Sequence, residues 1–377
     1  MCSRDLTDLS DIVVTGRDSD MTACQILGMT ESTSPTFCTI VPPHILERLA
    51  VHTEETAAIA AAARTTLEHD AMRRTRRTLA LPAAPGTPSD TPDRTIYTAD
   101  HRQVEPGKKV RGEGDPAVAD QSADRAYTGL GATFEFYLKV FARHSIDDAG
   151  LPLDATVHYG RNYDNAFWDG KQMIFGDGDG TIFLDFTIPL DVIGHELTHG
   201  VTQYSAGLDY QDQSGALNES VSDVFGSLIK QFSLGQSTAQ ADWLIGAGLL
   251  APSVHGEALR SMKAPGTAYD DPRLGKDPQP ATMDGYVTTT SDSGGVHINS
   301  GIPNHAFYLV AAALGGNAWD KAGPIWYRTL TGGGLAHDVD FAGFATATLA
   351  AAQALYGAGP ERDAVAAAWT QVGVPAK

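Results

Sequence analysis

The stretch Val192 to Gly200, V-I-G-H-E-L-T-H-G, constrains this chain more than any other. His195 and His199 are four residues apart, so on a helix their rings project from one face and can share a metal ion. Glu196, beside the first histidine, is placed to hold a water on that metal and to act as a general base. A third carboxylate, Glu219, follows twenty residues after His199 in the helix-like run G-A-L-N-E-S-V-S-D. Two histidines and one glutamate form the ligand set of a hydrolytic zinc site that keeps a fourth position open. Asp223 lies four residues beyond Glu219 on the same helical face. There it can accept the second ring N–H of a ligating histidine and fix its tautomer. In Ser291 to Gly301, His297 adjoins a glycine pair, and Asp292 can orient its ring.

Around this site the texture of the chain changes from stretch to stretch. Residues 1–37 are polar and rich in Ser, Thr and Asp, and read as a disordered extension. Residues 38–78 form a compact unit that turns helical toward Arg77. Residues 79–93, with Pro82, Pro85, Pro88 and Pro92, read as a linker. Residues 94–190 carry short strand-like runs, among them Thr156–Tyr159, Gln172–Phe175 and Thr181–Thr187, plus one helix over Leu130–His144. Residues 191–377 show helix-type spacing over 191–205, 217–234, 300–314, 338–356 and 361–370. Strands first and helices after predict an α+β, two-lobed fold with the metal helix at the junction. The basic run Arg73 to Arg77 reads as an exposed helix end.

A net charge of −19 over 377 residues argues against nucleic acid or an anionic membrane as partner. No apolar run is long enough to span a bilayer, and the acidic, polar start lacks the apolar core of a conventional signal peptide. All three cysteines, Cys2, Cys24 and Cys38, precede residue 40, so the metal-bearing part has neither a disulfide framework nor thiolate ligands of its own.

Taken in order along the chain, several segments resemble the thermolysin-like zinc endopeptidases. They are Asn165 to Trp168, Gly176 to Gly180, His195 to His199, Gly215 to Gly226, Leu259 to Met262 and Gly294 to Gly301. The resemblance covers roughly residues 94–377. It implies that His195, His199 and Glu219 hold zinc, that Glu196 deprotonates the attacking water, and that Tyr210 and His297 donate to the oxyanion with Asp292 orienting His297. Asn165, the Ala166 backbone and Arg260 would hold the peptide main chain. Phe183, Val192, Ile245, Leu249 and Leu259 would line the pocket after the scissile bond. Burying a Leu or Phe side chain there gains roughly 1–3 kcal/mol, so cleavage is expected before bulky apolar residues.

Upstream, Pro42, Pro43, His44, Ile45 and Leu46 resemble the short inhibitory prosegment of the protealysin-type branch, which occupies the cleft in cis; Pro-Pro as a mere bend before a helix is the alternative. A Cys38 thiolate reaching zinc in the zymogen is a further alternative. Self-removal of the prosegment within residues 78–96 is expected, with Thr78–Leu79, Ala80–Leu81 and Thr95–Ile96 as candidate bonds. Pro82 makes the second the poorest of these. Relatives with a double calcium site use acids near Asp191 and Asp242, but Lys230 stands where they have a glutamate, with Leu244 and Ala247 at further acidic positions. That Ca2+ site is expected to be lost, with calcium elsewhere left open. The resemblance implies a secreted monomer acting on peptides and proteins, with a cytoplasmic location as the alternative. Competing functions are a zinc aminopeptidase, which would need an absent Gly-x-Met-Glu-Asn string, and an inactive binding module on a protease scaffold.

Overall fold

A computed structural model describes residues 38–51, 56–77 and 86–375; the expectations for residues 1–37, and for the bonds Thr78–Leu79 and Ala80–Leu81, lie outside them. The chain opens with α1 (Pro43–Leu49) and α2 (Ala57–Arg77). Pro43 occupies the first turn of α1, where its missing N–H costs nothing, and Ile45, Leu46 and Leu49 are buried.

Next come β1 (Arg94–Thr98), β2 (Lys108–Gly112), α3 (Gln121–Phe141), β3 (Leu153–Val157), β4 (Ala166–Trp168) and β5 (Gln172–Phe175). The five strands form one sheet in the order β2-β1-β3-β5-β4. β1, β3 and β5 run parallel, while β2 and β4 pair antiparallel at the two ends. Ile96 is fully buried in β1 and hydrogen-bonded into the sheet on both sides. Cutting Thr95–Ile96 would require the sheet to open, which removes it as a processing bond in the folded chain.

Beyond Leu190 the long elements are helices: α4 (Leu190–Gln203), α5 (Asp212–Leu234), α6 (Asp292–Asn299), α7 (Gly301–Leu314), α8 (Ala322–Thr331), α9 (Phe341–Tyr356) and α10 (Pro360–Gln371). Two-residue ribbons join β6 (Leu244–Ile245) to β7 (Arg260–Ser261) and β8 (Asp270–Asp271) to β9 (Gly275–Lys276). This is the α+β order that the sequence predicts. Among the described residues, no helix is long and apolar enough to cross a membrane.

Three expectations differ from the structure. Thr181–Thr187 is not a strand. Asp179 Oδ1 accepts the N–H groups of Thr181, Ile182 and Phe183, and Asp185 Oδ1 that of Thr187, so side chains take donors that a ladder would use. α3 begins nine residues before Leu130, at Gln121, because Asp120 caps it by accepting from the N–H groups of Ser122 and Ala123. α6 and α8 are additional helices: α6 opens on a run of positive-φ residues around Gly294 and Gly295, and the first turn of α8 contains Gly323 and Pro324.

The site is positioned by the contact of α4 with α5. Residues 191–202 of α4 are buried throughout. A Cβ at Gly226 would lie 2.5 Å from Asp191 O, and one at Gly194 would lie 2.8 Å from Ile229 Cδ1. Glycine at both positions lets the helices approach closely, and two turns upstream of Gly226 this closeness brings Glu219 to the histidines.

Candidate metal centre and cleft

His195 Nδ1 lies 2.7 Å from Asp223 Oδ1, and His199 Nδ1 lies 2.9 Å from Asn218 Oδ1 and 3.1 Å from Ser222 Oγ. Acceptors at both Nδ1 atoms place the ring protons there and leave a lone pair on each Nε2. Those two Nε2 atoms are only 3.0 Å apart. Two lone pairs at that distance repel unless a cation sits beside both. Glu219 closes the third side, with Oε2 3.6 Å from His195 Nε2 and Oε1 3.6 Å from His199 Nε2. Oε2 is buried and makes no hydrogen bond. The donor set therefore fits a metal ion.

Charge agrees with geometry. Burial depresses the His199 imidazole to about 3, so the ring stays neutral and ligating. Burial alone would raise the Glu219 carboxyl, but His297, His199, His195 and Arg260 hold it down at about 2. Burial likewise opposes ionisation of Asp223, yet Arg260 and His195 keep it well below the usual carboxylate range. Asp223 is held from three directions: Arg260 Nε and Nη2, each at 2.8 Å, and Asn304 Nδ2 at 2.8 Å. Asn218, Ser222 and Asn304 are absent from the sequence reading. Asn218 and Ser222 are four apart on α5 and share one face beside Glu219, a usable signal; Asn304 comes from α7 and gives none.

Glu196 is fully buried, and its Oε2 accepts the Trp168 N–H at 3.1 Å. Opposite it, His297 Nδ1 lies 2.6 Å from Asp292 Oδ1, and the His297 N–H donates to Asp292 Oδ2 at 3.0 Å. This return contact needs an abrupt turn. Asp292, Ser293, Gly294 and Gly295 all have positive φ, and a Cβ at Gly294 would meet Asp212 Oδ1 at 2.1 Å. The Tyr210 hydroxyl lies 2.5 Å from Glu219 Oε1 and 3.3 Å from His297 Nε2.

The N-terminal segment runs through this cleft. Ile40 N–H donates to Ala166 O at 3.2 Å, Val41 N–H to Asn165 Oδ1 at 2.9 Å, and Arg260 Nη1 to Ile40 O at 3.1 Å. Ile40 and Val41 share one apolar cluster with Phe183, Val192, Ile245, Leu249 and Leu259. Pro42 precedes α1, and His44 Nε2 lies 3.3 Å from the Tyr269 hydroxyl, while burial lowers His44 to about 4. Cys38 Sγ stands 2.8 Å from Glu219 Oε1 and 2.9 Å from the Tyr210 hydroxyl. Cys38, His195, His199 and Glu219 each offer a ligand atom within 4.8 Å of the others. Burial, with Glu219 and Glu196 close by, pushes the Cys38 thiol up, so without a cation the sulfur keeps its proton.

α2 seals the upper cleft with one polar face. Thr66 Oγ1 accepts the Asp164 N–H, Asp70 accepts from the Tyr163 hydroxyl at 2.5 Å and from Asn165 Nδ2 at 3.1 Å, and Arg73 reaches Glu105 and the Tyr159 hydroxyl. Arg73 is thus no exposed helix end. Lys230 Nζ lies 2.9 Å from Asp191 Oδ2 and 2.8 Å from Asp242 Oδ2. A second histidine cluster, His101, His158 and Asp177, sits past the C-terminal ends of β1 and β3. Both ring nitrogens of His158 face carboxylates, Asp177 Oδ1 at 2.7 Å and Asp120 Oδ2 at 2.9 Å.

Comparison with known proteins gives a consistent result. Residues 72–203 match the family described as thermolysin metallopeptidase, catalytic domain, and residues 206–374 match thermolysin metallopeptidase, alpha-helical domain. An extracellular metalloprotease of Pectobacterium carotovorum subsp. carotovorum is 52% identical over 339 residues, covering 90% of this chain and 96% of that protein. A thermolysin of Alicyclobacillus acidocaldarius is 41% identical over 295 residues, covering 74% of this chain and 51% of that one. The solved precursor of protealysin, a metalloproteinase from Serratia proteamaculans, superposes with a TM-score of 0.83 at 51% identity, covering 89% of this chain and 99% of that one.

Proposed function

The chain belongs to the thermolysin metallopeptidase family, and from that premise we propose a zinc endopeptidase that cuts before bulky apolar residues and is made as a self-processing zymogen. The observation that carries the proposal is the meeting of His195, His199, Glu219 and Glu196 in a cleft whose walls bind peptide backbone. His195 Nε2, His199 Nε2 and a Glu219 oxygen would hold zinc. Bound there, zinc supplies the Lewis acidity that polarises a scissile carbonyl and acidifies water.

The chain's own groups do the rest. Glu196 takes a proton from the attacking water and returns it to the leaving nitrogen. His297 Nε2 and the Tyr210 hydroxyl donate to the developing oxyanion, and Asp292 fixes the His297 ring. Asp223 keeps the His195 proton on Nδ1. Asn165, Ala166 and Arg260 align the substrate main chain. Phe183, Val192, Ile245, Leu249 and Leu259 receive the apolar side chain that follows the cut.

Residues 38–77 act as the prosegment, a reading supported by the precursor form of the protealysin relative. Cys38 closes the open metal position while the segment is seated. Processing falls between residues 78 and 93, since Ile96 is locked in the sheet. The Lys230 ammonium replaces the cation charge between Asp191 and Asp242, so no calcium is needed there. The names of the relatives support export of the enzyme. The test is Glu196→Gln: peptide hydrolysis should fall on the order of a hundredfold to ten-thousandfold with zinc retained, and the full-length chain should persist. Near-normal turnover in the metal-replete variant would remove Glu196 from the mechanism.

A further inference from the structure

The N-terminal segment does more than fill the cleft, because its backbone contacts have a direction. Reading from N to C, Thr39 O lies 3.2 Å from His297 Nε2. Then Ile40 gives its N–H to Ala166 O and takes Arg260 Nη1 on its carbonyl. Val41 follows with its N–H on Asn165 Oδ1, and Asn165 Nδ2 donates to Val41 O at 3.4 Å. A carbonyl at an oxyanion donor, followed by a residue held at both N–H and C=O with its side chain buried, is the order a cleavable peptide presents. Ile40 is fully buried in the main apolar core, to which Phe183, Val192 and Ile245 also belong.

We infer that Thr39–Ile40 is seated as a substrate bond, and that the Cys38 side chain is what keeps it from being hydrolysed. This rests on the peptidase reading above. The sulfur lies beside Glu219 Oε1 and the Tyr210 hydroxyl and 3.8 Å from His297 Nε2, in the space an attacking water needs. The Tyr210 hydroxyl is turned to Glu219 Oε1 as well as to this sulfur, so His297 Nε2 is the group at Thr39 O. The obstruction is a side chain one residue before the bond, so Cys38→Ala clears the space and leaves the backbone register unchanged.

The reaction then balances with water alone. Water oxygen bonds to the Thr39 carbonyl carbon as its proton passes to Glu196. The C–N bond breaks as Glu196 gives that proton to the Ile40 nitrogen. The products are a Thr39 carboxylate and an Ile40 α-amine. Such a cut discards the thiol while α2 stays docked through Thr66, Asp70 and Arg73.

The experiment compares zinc-loaded full-length wild type, Cys38→Ala, Glu196→Gln and the double variant by intact mass and N-terminal sequencing over time. Cys38→Ala should produce a chain beginning at Ile40 at least about a hundredfold faster than wild type, the scale of restoring a water positioned for general-base attack. The rate should not change on dilution, and the double variant should remain whole. Hydrogen exchange supplies a readout independent of turnover: the Ile40 and Val41 amides should be protected alike in Glu196→Gln and the double variant. Protected amides with no Ile40 terminus at any time overturn the inference, as does a rate that falls on dilution or protection that vanishes with Cys38. Self-processed wild type assayed on a blocked peptide separates the two levels. Activity there without an Ile40 terminus in Cys38→Ala sinks this inference alone; an inert wild type sinks the peptidase reading with it.

Discussion

Two histidine clusters sit in this chain, and they are in opposite electrical states. At His195 and His199 each Nδ1 has a partner and the two Nε2 atoms face each other across 3.0 Å, enclosed, with burial keeping the His199 ring neutral. At His158 a carboxylate meets each nitrogen, and the ring is half-buried rather than enclosed. The Asp177 hydrogen bond, with burial opposing and Asp120 adding, raises His158 to about 9. A protonated ring has no lone pair to offer. Shared residue types therefore do not make equivalent sites; the partner on the far nitrogen and the access of water decide which ring ligates and which carries charge.

The largest expected effect comes from deleting a ligand. His199→Ala should lose bound zinc and, with it, peptidase activity down to background, whereas His158→Gln should keep both, as metal analysis and a peptide assay would show. A second equivalent of zinc lost from His158→Gln would break the contrast. Next is the outer carboxylate. Asp223→Asn should weaken zinc about 10–100-fold in a chelator competition. Asp120→Asn, its counterpart at the other cluster, should leave zinc affinity unchanged.

A smaller effect concerns folding. Asp120→Ala removes the cap of α3 as well as a His158 partner and should cost about 1–2 kcal/mol in denaturant unfolding, without loss of metal. The smallest is a pH effect. His158 has its folded pKa raised from 6.5 to about 9, so the charged triad of Asp120, His158 and Asp177, with His101 alongside, contributes fully below about pH 6.5. The contribution fades as pH rises through 9. Because the cluster is partly exposed, it should amount to at most about 1 kcal/mol, absent in His158→Gln. A wild-type stability curve parallel to that of the variant from pH 6 to 10 would count against a charged His158.

What could be read from sequence was what local spacing controls. His195, Glu196 and His199 lie within one helical turn and a residue, and Glu219 and Asp223 within another, so helical geometry alone aligns them. Lys230 between Asp191 and Asp242 was legible only through the family resemblance, as a lysine standing where relatives carry a glutamate. Asn304 escaped because α7 reaches the site only through tertiary packing. Thr181–Thr187 misled because its β-branched and aromatic residues suit a strand, while Asp179 and Asp185 divert the amides. The early start of α3 was hidden by Gly129 and Gly131, weak helix formers that are tolerated because neighbours crowd them: Ile193 Cδ1 would lie 2.4 Å from a Cβ at Gly129. The direction in which residues 39–41 bind could not have been deduced, since it depends on groups from three distant parts of the chain: Asn165 with Ala166, Arg260 and His297.

β4 ends the sheet, with β5 on one side and residues 40 and 41 lying along the other. Shedding residues 38–77 would strip that second side and expose an unpaired row of backbone donors and acceptors, the kind of margin along which proteins stick to one another. Folded sheets cannot easily reach it, because it lies at the floor of a cleft; loose extended chain can. The mature molecule would thus offer that margin to extended polypeptide. A strand coming to rest there would lie against β4, whose Trp168 N–H is bonded to Glu196.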